Sequence, residues 1–239
     1  MMKDPKLATN LILPLSATTV LLCAGCYLNP DSNRNADTTR ITFSLTAPSK
    51  DTSPTRTEVR KVGDFSAVQM SGTGVVRITC GKPAGVSVVT NEKSLKDVIT
   101  KADQGVLAIF IDSKANPERL VVNVSAPTLS RIVLAGTCNG ILAGLKADSV
   151  SLTLSGASSL RAQGKVKSLS IRTFGSSRIL AKELESTSST VTTVGTSAAV
   201  VFSSGDLKAE ASGASSVVVF GHPKTIRQAS AEAGSIEID

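Results

Sequence analysis

The chain has 239 residues, of which 41% are hydrophobic, 19% are charged and 3% are aromatic, and its formal net charge is +7. This length suits one core of about 150–200 residues with appendages and leaves little room for two full domains. The aliphatic content excludes a disordered chain. The single histidine, His222, excludes a metal site built from several histidines.

An apolar run from Leu11 to Leu22 follows a weakly basic start. It is shorter than the roughly 20 residues of a transmembrane helix and has the length of a signal-peptide hydrophobic region. The sequence Ala24-Gly25-Cys26 follows, and it resembles the lipobox of bacterial lipoproteins, although Cys23 stands where a leucine is expected. We predict a lipoprotein signal peptide at 1–25 and lipid attachment at Cys26. An ordinary signal peptide cleaved after a small residue is the alternative.

Lipidation would remove residues 1–25 and lower the net charge from +7 to +6. Acyl chains on Cys26 would hold the protein to a membrane without a spanning segment. Tyr27 replaces the aspartate that favours retention at the inner membrane, which indicates the outer membrane and leaves the side open. Residues 26–58 are polar and contain three prolines, so they are predicted to form a flexible tether.

From about residue 130 onward the chain repeats two stretches of alternating apolar residues around a small-residue turn. A fixed period of about 20 residues is typical of a solenoid. The alternation predicts strands with one buried face. Residues 59–239 are therefore predicted to form an all-β solenoid with coils of about 20 residues. Each turn has a glycine that positive φ or tight stacking would retain, and the residue two positions later would stack as well. The glycines are Gly72, Gly136, Gly156, Gly175, Gly195, Gly213 and Gly234, and the residues after them include Cys138, Ser158, Ser177, Ser197 and Ser215.

The repeat is interrupted between Gly72 and Gly136. This excursion predicts a strand at 86–89, one or two helical turns within 91–100, and strands at 106–111 and 120–124. If the coils stack in register, Cys80 and Cys138 lie about six residues apart along the strand, roughly 20 Å, which is too far for a disulfide. We predict two free thiols, although two remaining cysteines in an exported protein also favour a bridge.

The order of several motifs resembles a known family. These motifs are Asp64-Phe65-Ser66-Ala67-Val68, Ser71-Gly72, Gly105-Val106-Leu107-Ala108-Ile109, the two Ser-Gly-Ala-Ser-Ser segments at 155–159 and 212–216, and Gly221-His222-Pro223-Lys224. Over residues 59–239 the chain is similar to the auto-transporter adhesins with a head GIN domain, which are exported bacterial proteins. The resemblance implies a right-handed parallel β-helix and brings no catalytic residues with it.

The residues offer little support for catalysis. The serines recur from coil to coil, and none lies in a Gly-x-Ser-x-Gly motif. Enzymes with β-helix folds that cleave acidic polysaccharides cluster carboxylates, but the repeat positions equivalent to Asp148 hold Lys167, Thr187, Gly205 and Ile226. His222 lies in a Gly-His-Pro turn. We predict no catalytic residue, no metal site and no cofactor.

Charge and aromatic content bear on which partners the protein could bind. The basic residues are dispersed and no nucleic-acid motif accompanies them, so we predict no nucleic-acid partner. They are interpreted as a solvated surface, and electrostatic attachment to lipopolysaccharide or anionic glycans is the alternative. Most phenylalanines fall within predicted strands and are interpreted as core residues. The predicted function is that of a noncatalytic cell-envelope lipoprotein with an adhesin-like binding or packing surface for a glycan or protein. The alternatives are a β-helix polysaccharide-degrading enzyme and a purely structural envelope protein, and the oligomeric state is left open.

Overall fold

The computed structural model describes residues 54–111 and 119–239. This part of the chain is all-β apart from one short 3-10 helix at Glu92–Asp97, so the prediction of an all-β fold is confirmed. The predicted signal peptide, the lipid site Cys26 and most of the tether lie outside the described residues, and the first strand begins at Thr55. The strands are β1 (Thr55–Arg60), β2 (Ala67–Cys80), β3 (Gly85–Asn91), β4 (Val98–Asp103), β5 (Val106–Ile111), β6 (Val121–Ala126), β7 (Arg131–Gly156), β8 (Ser159–Gly175), β9 (Arg178–Gly195), β10 (Ala198–Phe202), β11 (Asp206–Gly213), β12 (Ser216–Phe220), β13 (Thr225–Ser230) and β14 (Ser235–Ile238).

The repeats pair with one another as parallel strands at the predicted spacing. Asn139 pairs with Ser159, which pairs with Arg178, so each strand is offset from the next by one repeat of the sequence. The same pairing continues from β9 to β10 and from β10 to β12. Strand β2 joins this stack across a longer interval, because Gly72 pairs with Gly136. Successive repeats are therefore hydrogen-bonded neighbours in chain order.

The sheet is mixed, which departs from the wholly parallel sheet of the predicted β-helix. In the excursion, β3 pairs antiparallel with β1 and β6, and β4 pairs antiparallel with β5. Strands β5 and β6 then pair parallel with β2. The predicted strands correspond to β3, β5 and β6, whereas β4 was not predicted.

The core is aliphatic, and four of the five described phenylalanines lie outside it. Phe65 is buried, but Phe110 and Phe174 are 41% and 40% exposed, and Phe202 and Phe220 are half-buried. The interpretation of these residues as core is therefore wrong. The reason is that side chains alternate between the two faces of a strand. Phe174 follows the buried Thr173 in β8 and therefore points outward.

The predicted glycine column exists through Gly213. Gly156 has a φ of +79°, and a Cβ at this position would lie 2.6 Å from the carbonyl oxygen of Gly136. The same relation recurs at Gly175, Gly195 and Gly213, each against the carbonyl oxygen of the preceding glycine. The column therefore needs glycine both for its left-handed backbone and for close contact between coils.

Gly234 does not belong to this column, which corrects the prediction. Its Cβ would meet the carbonyl oxygen of Ala211, and its φ is not in the left-handed region. Because Ser230 pairs with Ala211, the residue that corresponds to Gly213 is Glu232, which has a φ of +59°. The last coil thus keeps the left-handed conformation without the glycine.

The residues two positions after the glycines form a buried polar column, as predicted. The Ser158 hydroxyl lies 3.1 Å from the carbonyl oxygens of Gly136 and Ser155, and Ser177 bonds Gly156 and Phe174 in the same way. Cys138 takes this place in its coil. Its Sγ lies 3.3 Å from the carbonyl oxygens of Gly72 and Ala135. These groups satisfy backbone carbonyls at the turn.

Cys80 and Cys138, the two cysteines among the described residues, are buried and form no disulfide. Gly74 pairs with Cys138, so Cys80 lies farther along β2 by the interval that the prediction assumed, and the register is confirmed. Burial raises the pKa of both thiols to about 11. Both side chains are therefore neutral packing groups near neutral pH.

Candidate binding groove

An open groove of about 870 Å³ crosses several coils on the side where β7 and β8 pass from one repeat to the next. We call it the lysine groove. Its residues come from the segments before β2 and β7 and from β7, β8 and β9. They are Ser66, Thr128, Leu129, Ser130, Lys146, Ala147, Asp148, Ser149, Lys165, Val166, Lys167 and Thr187.

The floor of the lysine groove is aliphatic. Leu129 and Val166 are buried and Ala147 is half-buried. The register between β7 and β8 shifts between Leu142 and Leu145. Past that shift Lys146 pairs with Lys165, so the two residues lie side by side on adjacent strands, and both are exposed.

The rim carries three lysines and one carboxylate. Lys167 Nζ lies 2.8 Å from Asp148 Oδ1, and Lys165 Nζ lies 3.0 Å from Glu185 Oε2, on the neighbouring strand. Within residues 54–111 and 119–239, Lys146 forms no ion pair. The groove therefore presents an excess of positive charge.

The Lys167–Asp148 pair shifts both of its members. Hydrogen bonding from Lys167 and the charge of its ammonium group hold the pKa of Asp148 below its ordinary value. The same two effects of Asp148 raise the pKa of Lys167. Both groups are fully exposed, and such pairs contribute little because water competes for them.

Hydroxyl groups complete the lining. Thr128 Oγ1 donates to the Lys146 carbonyl oxygen at 2.9 Å, and the Ser130 hydroxyl donates to the Ser66 carbonyl oxygen at 3.1 Å. Beyond the groove, the outward side of the same strands continues as a hydroxyl face. It consists of Ser149, Ser151, Thr153, Ser168, Ser170, Thr190 and Thr192, all of which are at least partly exposed. Such groups both donate and accept hydrogen bonds.

Side chains suited to catalysis do not converge. His222 is exposed after β12, and Ser158 and Ser215 of the repeated motifs are buried in the polar column. Four carboxylates of the repeats contact a cation instead, including those of the pairs Arg161–Glu183 and Lys208–Glu210. Among the residues that the structure describes, no group of three or more His, Cys, Asp or Glu side chains could hold a metal ion.

Sequence reasoning missed the lysine groove because it counted the lysines as dispersed. The signal was present, since Lys146, Lys165 and Glu185 occupy the same place in three successive repeats. Parallel in-register strands bring residues one repeat apart next to each other. Applying the register to charged residues as well as to glycines would have located this site.

Three crystal structures show similar folds. A putative adhesin from Bacteroides fragilis is 16% identical, with a TM-score of 0.65 over 78% of this chain and 97% of its own. Putative adhesins from Parabacteroides distasonis and Parabacteroides merdae are 16% and 15% identical, with TM-scores of 0.51 and 0.50. They cover 79% and 77% of this chain and 98% and 96% of their own. At these identities the likeness concerns the fold.

No curated protein matches the chain. Within the described ranges there is no helix with the length and apolar character needed to cross a bilayer. A family model matches residues 64–223, which include β2 to β12 and the lysine groove. The names of the family and of the similar structures are those of adhesins rather than of enzymes. The chain belongs to the family described as "Putative auto-transporter adhesin, head GIN domain".

Proposed function

We propose that the protein is a noncatalytic lipoprotein of the bacterial cell envelope, and that its β-domain binds a ligand at the cell surface through the lysine groove. The observation that carries the proposal is this groove, which combines cationic, hydroxyl and aliphatic groups across several coils. Binding sites are concave and mix apolar area with a few polar groups in this way. The adhesin-type family supports the same function.

The proposal includes a right-handed β-solenoid for the repeats. Parallel pairing at offsets of one repeat supports it, because each repeat then adds one layer to the stack. Two strand stretches per repeat, separated by the glycine turn, fit one coil. Such a stack presents an extended and rigid surface to a partner.

The proposed localisation in the cell envelope rests on the N-terminal sequence. The apolar run before Ala24-Gly25-Cys26 supports lipidation at Cys26, and Tyr27 supports the outer membrane. The predicted tether of residues 26–58, whose last residues belong to β1 (Thr55–Arg60), would let the domain stand away from the bilayer. The domain is therefore proposed to act at a distance from the membrane that holds it.

Two experiments test the function. Labelled palmitate should incorporate into the wild type and not into Cys26→Ser, and equal labelling of both would contradict lipidation. The purified lipoprotein should also retain a component in a glycan and matrix-protein binding screen. A screen without any ligand would instead favour a purely structural envelope protein.

A further inference from the structure

The lysine groove has one cation without a counterion. Lys165 and Lys167 contact Glu185 and Asp148, whereas Lys146 forms no ion pair in the described part of the chain. We propose that the groove binds an anionic glycan, with Lys146 as its principal contact to an acidic group of the sugar. This inference rests on the proposed function and names the class of ligand.

The spacing of the lysines suits a linear polyanion. Lys146 and Lys165 lie on adjacent strands, about 4.8 Å apart between strand axes, and Lys167 is two residues from Lys165, about 7 Å along the strand. A ligand with one acidic group per sugar can contact more than one of these ammonium groups. Their exposed ion pairs are weak enough to exchange for carboxylates of a ligand.

The remaining lining fits a sugar better than other polyanions. Ala147, which is half-buried above the buried Leu129 and Val166, offers an aliphatic surface for the C–H side of a pyranose, and Ser149 and Thr187 offer hydroxyls for its rim. Among the described residues that line the groove there is no aromatic side chain, so this lining lacks the stacking surface used for single-stranded nucleic acid.

Binding to purified lipoprotein in detergent micelles tests the inference, with polygalacturonate as the probe and dextran as the uncharged comparison. Lys146→Ala should weaken polygalacturonate affinity up to about 5-fold, as expected for one exposed ionic contact. Lys61→Ala is the matched control, because Lys61 is also exposed and without an ion pair in the described residues but lies outside the groove. Asp148→Asn should act in the opposite direction and tighten binding, since it releases Lys167.

Three results would overturn the inference. They are equal loss of affinity in Lys61→Ala and Lys146→Ala, equal binding of dextran and polygalacturonate, and binding of inorganic phosphate alone without polygalacturonate. Palmitate labelling of Cys26 and retention of other ligands do not depend on Lys146. If the polygalacturonate assay fails, palmitate labelling and the ligand screen therefore still test the proposed function on their own.

Discussion

Alanine at Gly156 tests whether the coils stack through their glycines. The backbone at Gly156 has a φ of +79°, and the added Cβ would lie 2.6 Å from the carbonyl oxygen of Gly136 and 3.1 Å from its nitrogen. Both neighbours are backbone atoms of a coil that is held by hydrogen bonds on either side. The strain therefore cannot be relieved by rotating a side chain.

The expected loss has two parts. A left-handed backbone costs a residue with a Cβ about 1–2 kcal/mol, and overpacking against a fixed neighbour costs about 1–3 kcal/mol. The free energy of unfolding should fall by about 2–5 kcal/mol in Gly156→Ala. For a domain of this size, each kcal/mol corresponds to about 2–4 °C in the melting midpoint.

Two other glycines separate the two parts. Gly81 has a φ of +84°, but no heavy atom lies within 4 Å of its ideal Cβ. Gly63 has neither a left-handed φ nor a heavy atom within that distance. Thermal and urea unfolding should rank the variants Gly63→Ala, Gly81→Ala and Gly156→Ala in order of increasing loss. Equal losses at Gly81 and Gly156 would refute the backbone contact, and an unchanged midpoint at both would refute the glycine column as a structural requirement.

Other predictions concern the thiols, the last coil and catalysis. Denatured, unreduced protein comprising residues 59–239 should show two free thiols, Cys80 and Cys138, whereas zero per monomer would reject the register. The thiol pKa of about 11 should slow alkylation of the native protein at pH 8, and stability should fall as the pH rises from 9 through 11, because the folded state keeps protons that the unfolded state loses. Cys138→Ser, which introduces the residue of four other coils, should weaken that pH dependence without lowering the midpoint at pH 7. Glu232→Gly should raise the midpoint and Glu232→Val should lower it, since φ is +59° there; the reverse order would contradict the assignment to the column. Polygalacturonate should keep its chain length in the presence of the protein, and cleavage lost on mutation of a single Asp or Glu would overturn the noncatalytic assignment.

The repeated part of the fold was predictable because its constraints recur. Five successive repeats place a left-handed glycine and a buried Ser or Cys at the same two positions, so glycine spacing revealed the register. Where one coil keeps the conformation with another residue, as Glu232 does, counting glycines selected Gly234 instead. Glycine indicates a left-handed backbone only indirectly, and in the last repeat this indication selected the wrong residue.

The excursion and the groove depend on pairing that no period encodes. Strand β4 pairs with β5 through antiparallel contacts specific to that hairpin, and its exposed Ile99 breaks the expected burial pattern. The charge excess of the groove depends on which lysines share a carboxylate across neighbouring strands. Such cross-strand relations appear only once the register is applied to every residue.

The long interval between β2 and β7 bears on the order of folding. Their paired residues, such as Gly72 and Gly136, are separated by the whole excursion, whereas neighbouring repeats pair at an offset of one coil. Closing the longer loop costs about 1 kcal/mol more in chain entropy, and contacts of high sequence separation form more slowly. The repeats from β7 onward can thus assemble from local contacts, and the free edge of β7 is then available for pairing with β2. Strand β2 precedes them in the chain and is expected to be the last of these parallel strands to dock.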